Sequence, residues 1–146
     1  MTRRTLVLLV GAALLAPTAG QAQGSEFARQ VGVQLVRDAG VLIPAGFTLS
    51  HDPYTGTPYD NTYEDLTLTL HSGVSYALVG VCDNDCSDLD LILYDAAGRE
   101  VSSDLRPDDK PVVVAAPRWT GQYRLRVIMA RCFAQPCFYG IGVFGQ

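Results

Sequence analysis

Between Cys82 and Asp90 the chain reads Asp83-Asn84-Asp85-Cys86-Ser87-Asp88-Leu89-Asp90. Calcium takes about six to eight oxygen ligands, and carboxylates clustered in a tight loop supply them. Asp83, Asp85, Asp88 and Asp90 are therefore candidate calcium ligands, and Asp108 and Asp109 form a second acidic pair that could approach them. The spacing is not that of an EF-hand, because the glycine at the sixth position and the distal glutamate are missing. The same residues admit a plainer arrangement. In it the loop is a solvated acidic turn, and Asp88 and Asp90 face Arg124 and Arg126 in a ladder across two strands.

The cysteines interleave with these acids. Cys82, Cys86, Cys132 and Cys137 make an even count, which in an exported chain reads as disulfides. Their spacing favours the local pairs Cys82–Cys86 and Cys132–Cys137, each pinching a hairpin loop. The rival is a four-thiolate zinc site, but both spacings are wider than the usual Cys-x2-Cys.

Other chemistry finds less support. A Ser–His–Asp arrangement needs a nucleophile at a rigid elbow and a base within reach. There is no Gly-x-Ser-x-Gly, and the two histidines, His51 and His71, sit in a loop and on a polar strand face. Acids are plentiful enough for a glycosidase pair, but no cleft-forming loops accompany them. Tyr54, Tyr59 and Tyr63 cluster before the first strong strand, where they can stack on sugar rings, anchor a partner protein or cover an open end of the fold. Trp119, just before a turn, can do the same. No glycine-rich phosphate cradle and no basic patch is present.

The elements that must position these residues follow from periodicity. Ser25 to Ala39 reads as a helix: Phe27, Val31 and Leu35 share one face with Ala28 and Val36 beside them, Ser25 caps the start and Gly40 ends it. Residues 50–61 are a turn-rich loop. Beyond it the period becomes two. Leu66, Leu68 and Leu70 alternate with polar residues. Leu89, Leu91 and Leu93 do the same, as do Tyr123, Leu125, Val127 and Met129. With the apolar runs at 74–82, 112–116 and 137–144 and a short strand near 100–103, these make about seven strands. The chain is thus expected to be an all-β antiparallel β-sandwich, jelly-roll-like, with one N-terminal α-helix.

Composition sets the surroundings. Arg3 and Arg4 precede the uncharged run Leu6 to Ala16, and Pro17 and Gly20-Gln21-Ala22 follow. That order is a secretory signal cleaved after Ala22. The domains expected are the signal at 1–22, the helix and lead-in at 23–46, and the sandwich at 47–146. Removing Arg3 and Arg4 with the signal takes the net charge from −4 to −6. An acidic surface argues against nucleic acid. No second apolar stretch is long enough to span a membrane.

One resemblance rests on the second half of the chain. Gly73-Val74-Ser75-Tyr76, the acidic strand Asp88-Leu89-Asp90-Leu91-Ile92-Leu93-Tyr94-Asp95 and Gly98 carry it. So do Pro117 with Gly121-Gln122-Tyr123-Arg124-Leu125, and Tyr139 to Val143. In this order they resemble the bacterial pre-peptidase C-terminal (PPC) domain family. The resemblance implies a jelly-roll-like sandwich that accompanies exported enzymes, aids secretion, localisation or substrate binding, and in some members binds calcium. The expected function is an exported, non-catalytic binding or accessory module, secreted or periplasmic, meeting a protein or glycan outside the cytoplasm. Calcium is its candidate stabiliser. The alternatives are a structural protein of the cell envelope and a small secreted hydrolase.

Overall fold

The computed structural model describes residues 19–146, with side chains from Glu26 onward. Most of the expected signal lies outside the described residues. One helix, α1 (Ala19–Ala39), leads into a short 3-10 turn at Ile43–Ala45. Nine strands follow: β1 (Thr48–Leu49), β2 (Tyr54–Gly56), β3 (Thr62–Leu70), β4 (Tyr76–Cys82), β5 (Cys86–Tyr94), β6 (Glu100–Asp104), β7 (Val112–Ala115), β8 (Gly121–Cys132) and β9 (Tyr139–Gly145).

The strands divide into two antiparallel sheets. Sheet A runs β1-β9-β4-β7, with β2 also on β9, and sheet B runs β3-β8-β5-β6. β1 and β2 lie against the same strand at successive positions, so they act as one interrupted strand. The pairs β1/β2 with β9, β3 with β8, β4 with β7 and β5 with β6 are those of one long hairpin. Rolling that hairpin up brings β4 against β9 and β5 against β8. This is the jelly roll, eight strands in two packed sheets. Its core is filled by the alternating residues expected: Leu68, Leu70, Leu89, Leu91, Leu93, Leu125, Val127 and Met129 from sheet B meet Leu78, Val113, Ile141 and Val143 from sheet A.

The helix covers sheet A from outside. Val31 and Leu35 are buried against Val81, and Ala39 against Val79 and Phe144. β9 allows this close approach through Gly140 and Gly142. A Cβ at Gly140 would collide with Val31 and meet Leu35, and one at Gly142 would press on Phe144. Phe27 completes the stripe by stacking on Phe138 at 5.4 Å. Among the described residues, no helix is long and apolar enough to cross a membrane.

Several expectations change here. The helix begins at Ala19, so Ser25 is inside it rather than at its cap. Val36 belongs to the outer face and is exposed. The loop at 50–61 contains β2, which pairs with β9 despite its turn-rich composition. The disulfides are Cys82–Cys86 and Cys132–Cys137, as the spacing favours, but neither closes a hairpin. The first joins β4 of sheet A to β5 of sheet B, and the second joins the end of β8 in sheet B to the segment that leads into β9 of sheet A. Cys86 also lies directly opposite Cys132. Both bridges therefore staple the two sheets together at one pole.

Candidate functional site

At the disulfide pole the candidate cation ligands separate into different roles. Asp83 is only 1% exposed. Its carboxylate accepts the Phe138 N–H at 2.8 Å and the Asp85 N–H at 3.2 Å. It ties the Cys82–Cys86 loop to the start of β9, as a structural acceptor. Burial pushes its carboxyl pKa up, and the hydrogen bonds from Phe138 and Asp85 act against that. Asp85 adds a backbone tie, its carbonyl accepting the Phe133 N–H at 2.8 Å.

Asp88 lies in the bulge where β5 leaves ladder register with β8, opposite Arg131, and Asp90 follows where the register is regular again. The loop after β6 continues along β5, with the Leu89 N–H donating to the Asp108 carbonyl. The crowding of Asp88, Asp104 and Asp108 adds to desolvation and takes Asp90 up to about 6. One carboxylate oxygen of each of Asp88 and Asp90 is buried without a hydrogen bond. Asp104 differs, because Arg106 and the Val112 N–H hold its carboxyl well below the usual range. The second acidic pair divides: Asp108 joins this group, whereas Asp109 acts on Arg37 of the helix. Among the described residues, no three His, Cys, Asp or Glu side chains gather as a group that could hold a metal ion.

The ladder expected between Asp88 or Asp90 and the arginines does not form. Asp90 stands opposite Ile128, and Ile92 and Tyr94 stand opposite Arg126 and Arg124. The arginines turn to the other neighbour of β8. Asp65 on β3 takes Arg126 through two parallel bonds of 2.8 and 2.9 Å and Arg124 through one of 2.9 Å. Bidentate charge-assisted bonds of this kind fix orientation as well as charge.

With Asp65 holding them, the guanidiniums stand over tyrosine rings. Arg126 stands 3.8 Å from the Tyr63 ring centroid, and Arg124 stands 4.3 Å from that of Tyr94. The result is a Tyr63–Arg126–Tyr94–Arg124 ladder on the outer face of sheet B. Among the described residues no helix packs on this face, and Tyr63 is 55% exposed. The expected tyrosine cluster is thus split. Tyr54 packs against the core from sheet A, Tyr59 stands exposed in its loop, and Tyr63 belongs to β3. Tyr94 and its arginine partners were missed as a site. Their polar-face position in alternating strands was the available signal.

The opposite pole is held by hydrogen bonds. Asp95 accepts the N–H groups of Ala97 and Arg99 and pairs with the Arg99 guanidinium at 2.8 Å. The Tyr123 hydroxyl donates to the Trp119 carbonyl at 3.2 Å, the device of a tyrosine corner, and the two rings stack. Between them opens a cleft of about 450 Å³.

The Ser50–His51 pair has no carboxylate partner among the described residues. The Ser50 hydroxyl lies 2.9 Å from His51 Nδ1, but it donates to the Val143 carbonyl, and His51 Nε2 faces the Thr69 carbonyl rather than a carboxylate. That arrangement pins the interrupted strand β1–β2 to β9 and β3. Compared with family models and with curated proteins, the chain matches none. The molecule is a disulfide-stapled jelly-roll sandwich with one face covered and one face open.

Proposed function

We propose that this chain is an exported, non-catalytic binding module that works in an oxidising compartment and meets its partner through the open face of sheet B. The observation that carries the reading is the asymmetry of the two faces. α1 covers sheet A, whereas sheet B leaves Tyr63, Tyr94, Arg124 and Arg126 as a pinned array. Aromatic and arginine side chains are the residues that concentrate binding energy at interfaces. Here Asp65 orders them beforehand, which lowers the entropy lost on association. The disulfides agree with export, and the resemblance to the PPC domain family agrees with an accessory role. A cation is not part of the proposal, because Asp83 is taken up by backbone donors and, among the described residues, no three His, Cys, Asp or Glu side chains gather as a group that could hold a metal ion.

The test is binding of the oxidised protein to arrays of glycans and of extracytoplasmic proteins, beside the double variant Tyr63→Ala/Tyr94→Ala. The expected result is a defined partner whose signal falls at least tenfold in the variant, with the unfolding midpoint nearly unchanged. Signal retained at full strength in the variant would remove this face from the function.

A second reading has its own observation. Val36, Val41, Ile43 and Leu49 are exposed near one another around the end of α1, and the edge strand β7 exposes Val112 and Val114. A large exposed apolar patch marks an interaction surface, which suits a structural protein of the cell envelope. Concentration-dependent self-association or envelope co-sedimentation, lost in Val36→Ser/Ile43→Ser, would favour it over the first.

A further inference from the structure

We infer that the cleft beside Trp119, at the pole opposite the disulfides, binds a neutral saccharide ring. The inference rests on the binding-module reading and names a ligand class and a second site for it. The cleft's volume of about 450 Å³ falls within the roughly 300–1,000 Å³ of small-ligand sites. Its floor is built in advance. Asp95 anchors Arg99 through its side chain and backbone, and Tyr123 fixes Trp119 by a stacked ring at 6.4 Å and a bond to its carbonyl. The indole remains 42% exposed.

The polar lining selects the ligand's chemistry. Arg99 and Arg118 supply only donors, and Glu100 and Asp95 supply only acceptors. Arg118 takes part in none of the ion pairs among the described residues. The Glu100 carboxylate accepts one bond, from the Ser103 hydroxyl, and keeps acceptor capacity. Two cations and two anions balance, so the cleft has no net charge with which to capture an ion. A hydroxyl both donates and accepts, so neighbouring hydroxyls on one ring satisfy a guanidinium and a carboxylate together. The apolar C–H face of the same ring matches an exposed aromatic side chain. A pyranose ring combines both features.

Trp119 is the chain's single tryptophan, so its fluorescence reports on this cleft alone. The oxidised protein is titrated with soluble oligosaccharides of neutral hexose and N-acetylhexosamine units, and in parallel with a uronic-acid oligosaccharide. A saturable change in Trp119 emission is expected with a neutral sugar. Arg118→Ala and Glu100→Ala each weaken it by about tenfold, the effect of losing one bond to a charged group. Their unfolding midpoints stay close to that of the parent, and Tyr63→Ala leaves the change intact. Emission that is silent across the neutral series, responds only to the uronate, or is as strong in both cleft variants as in the parent overturns the assignment. A silent cleft beside array binding that Tyr63→Ala/Tyr94→Ala abolishes overturns the saccharide site and spares the module. A silent cleft with no array binding overturns both.

Discussion

Two aspartates, one at each pole of the sandwich, start from the same chemistry and end with opposite acidity. Asp83 and Asp95 are both buried, and both accept backbone N–H groups at a turn. Asp83 sits among the disulfide-clamped loops with no cation beside it, and burial dominates, so its pKa is raised. Asp95 adds the Arg99 guanidinium, and the hydrogen bonds from Arg99 lead in lowering its pKa. The disulfide pole is held by covalent bonds that tolerate an electrostatically poor carboxylate. The other pole has no covalent tie, and its turn depends on a carboxylate that is well satisfied. The difference suggests a division of labour: one end is closed for stability, and the other presents a cleft over a hydrogen-bonded floor.

Removing both disulfides should break that comparison hardest. Each closes a short loop, and the chain-entropy model assigns such a loop about 2 kcal/mol. Reduction, or Cys→Ala at all four positions, should lower the midpoint by on the order of 10 °C. Hydrogen exchange should show amides at 83–87 and 133–138 losing protection first, with 95–99 still protected. Equal loss at both poles would mean that the bridges stabilise the whole sandwich rather than one end.

Removing Asp83 should cost less, roughly 1–3 kcal/mol at neutral pH for the unsatisfied donors left behind, and removing Asp95 should also lower the midpoint. The pH dependence is the sharper readout. Asp95 has a lowered folded pKa, so its contribution is present above the ordinary aspartate value and is lost as pH falls through the folded one. The midpoint gap between the parent and Asp95→Ala should therefore narrow on acidification. Asp83 has a raised folded pKa, so its contribution is largest at low pH and declines as pH rises. The gap for Asp83→Ala should widen on acidification. Parallel slopes in the two variants would erase the contrast between the poles.

The smallest expected effect is at Asp90, whose pKa lies at about 6 because of desolvation and the neighbouring acids. Its folded value is raised, so the parent loses stability as pH rises from about 4 through 6. Asn cannot ionise, and Asp90→Asn should match the parent at pH 4 and melt a few degrees higher at pH 8. A variant that melts lower at pH 8 would mean that the carboxylate has a partner there, which reopens a cation at this edge.

How much was legible beforehand depends on the distance in sequence over which each feature is decided. Leu66, Leu68 and Leu70 announce a half-buried strand within five residues, and the same holds for β5 and β8. The acidic loop was legible as composition but not as geometry. Nothing local distinguishes Asp83, turned inward onto Phe138, from Asp85 beside it. The ladder was misassigned for a related reason. Asp65, Asp88 and Asp90 all lie on polar faces of strands beside β8, and only register decides which stands opposite Arg126. β8 has two neighbours, and Asp65 on β3 takes the arginine from 61 residues away in the chain.

By itself the sequence determined the class of fold and the helix stripe of Phe27, Val31 and Leu35, and it favoured the local pairing of the cysteines. Each follows from short-range periodicity or from loop closure, which favours near partners. Tertiary structure alone decided that the disulfides cross between sheets, that Asp83 is a buried acceptor, and that α1 covers one face. It also decided that Tyr63, Tyr94, Arg124 and Arg126 meet on the other. The physical reason is that rolling a long hairpin brings together strands separated by most of the chain, and no local pattern encodes which polar face will find which neighbour.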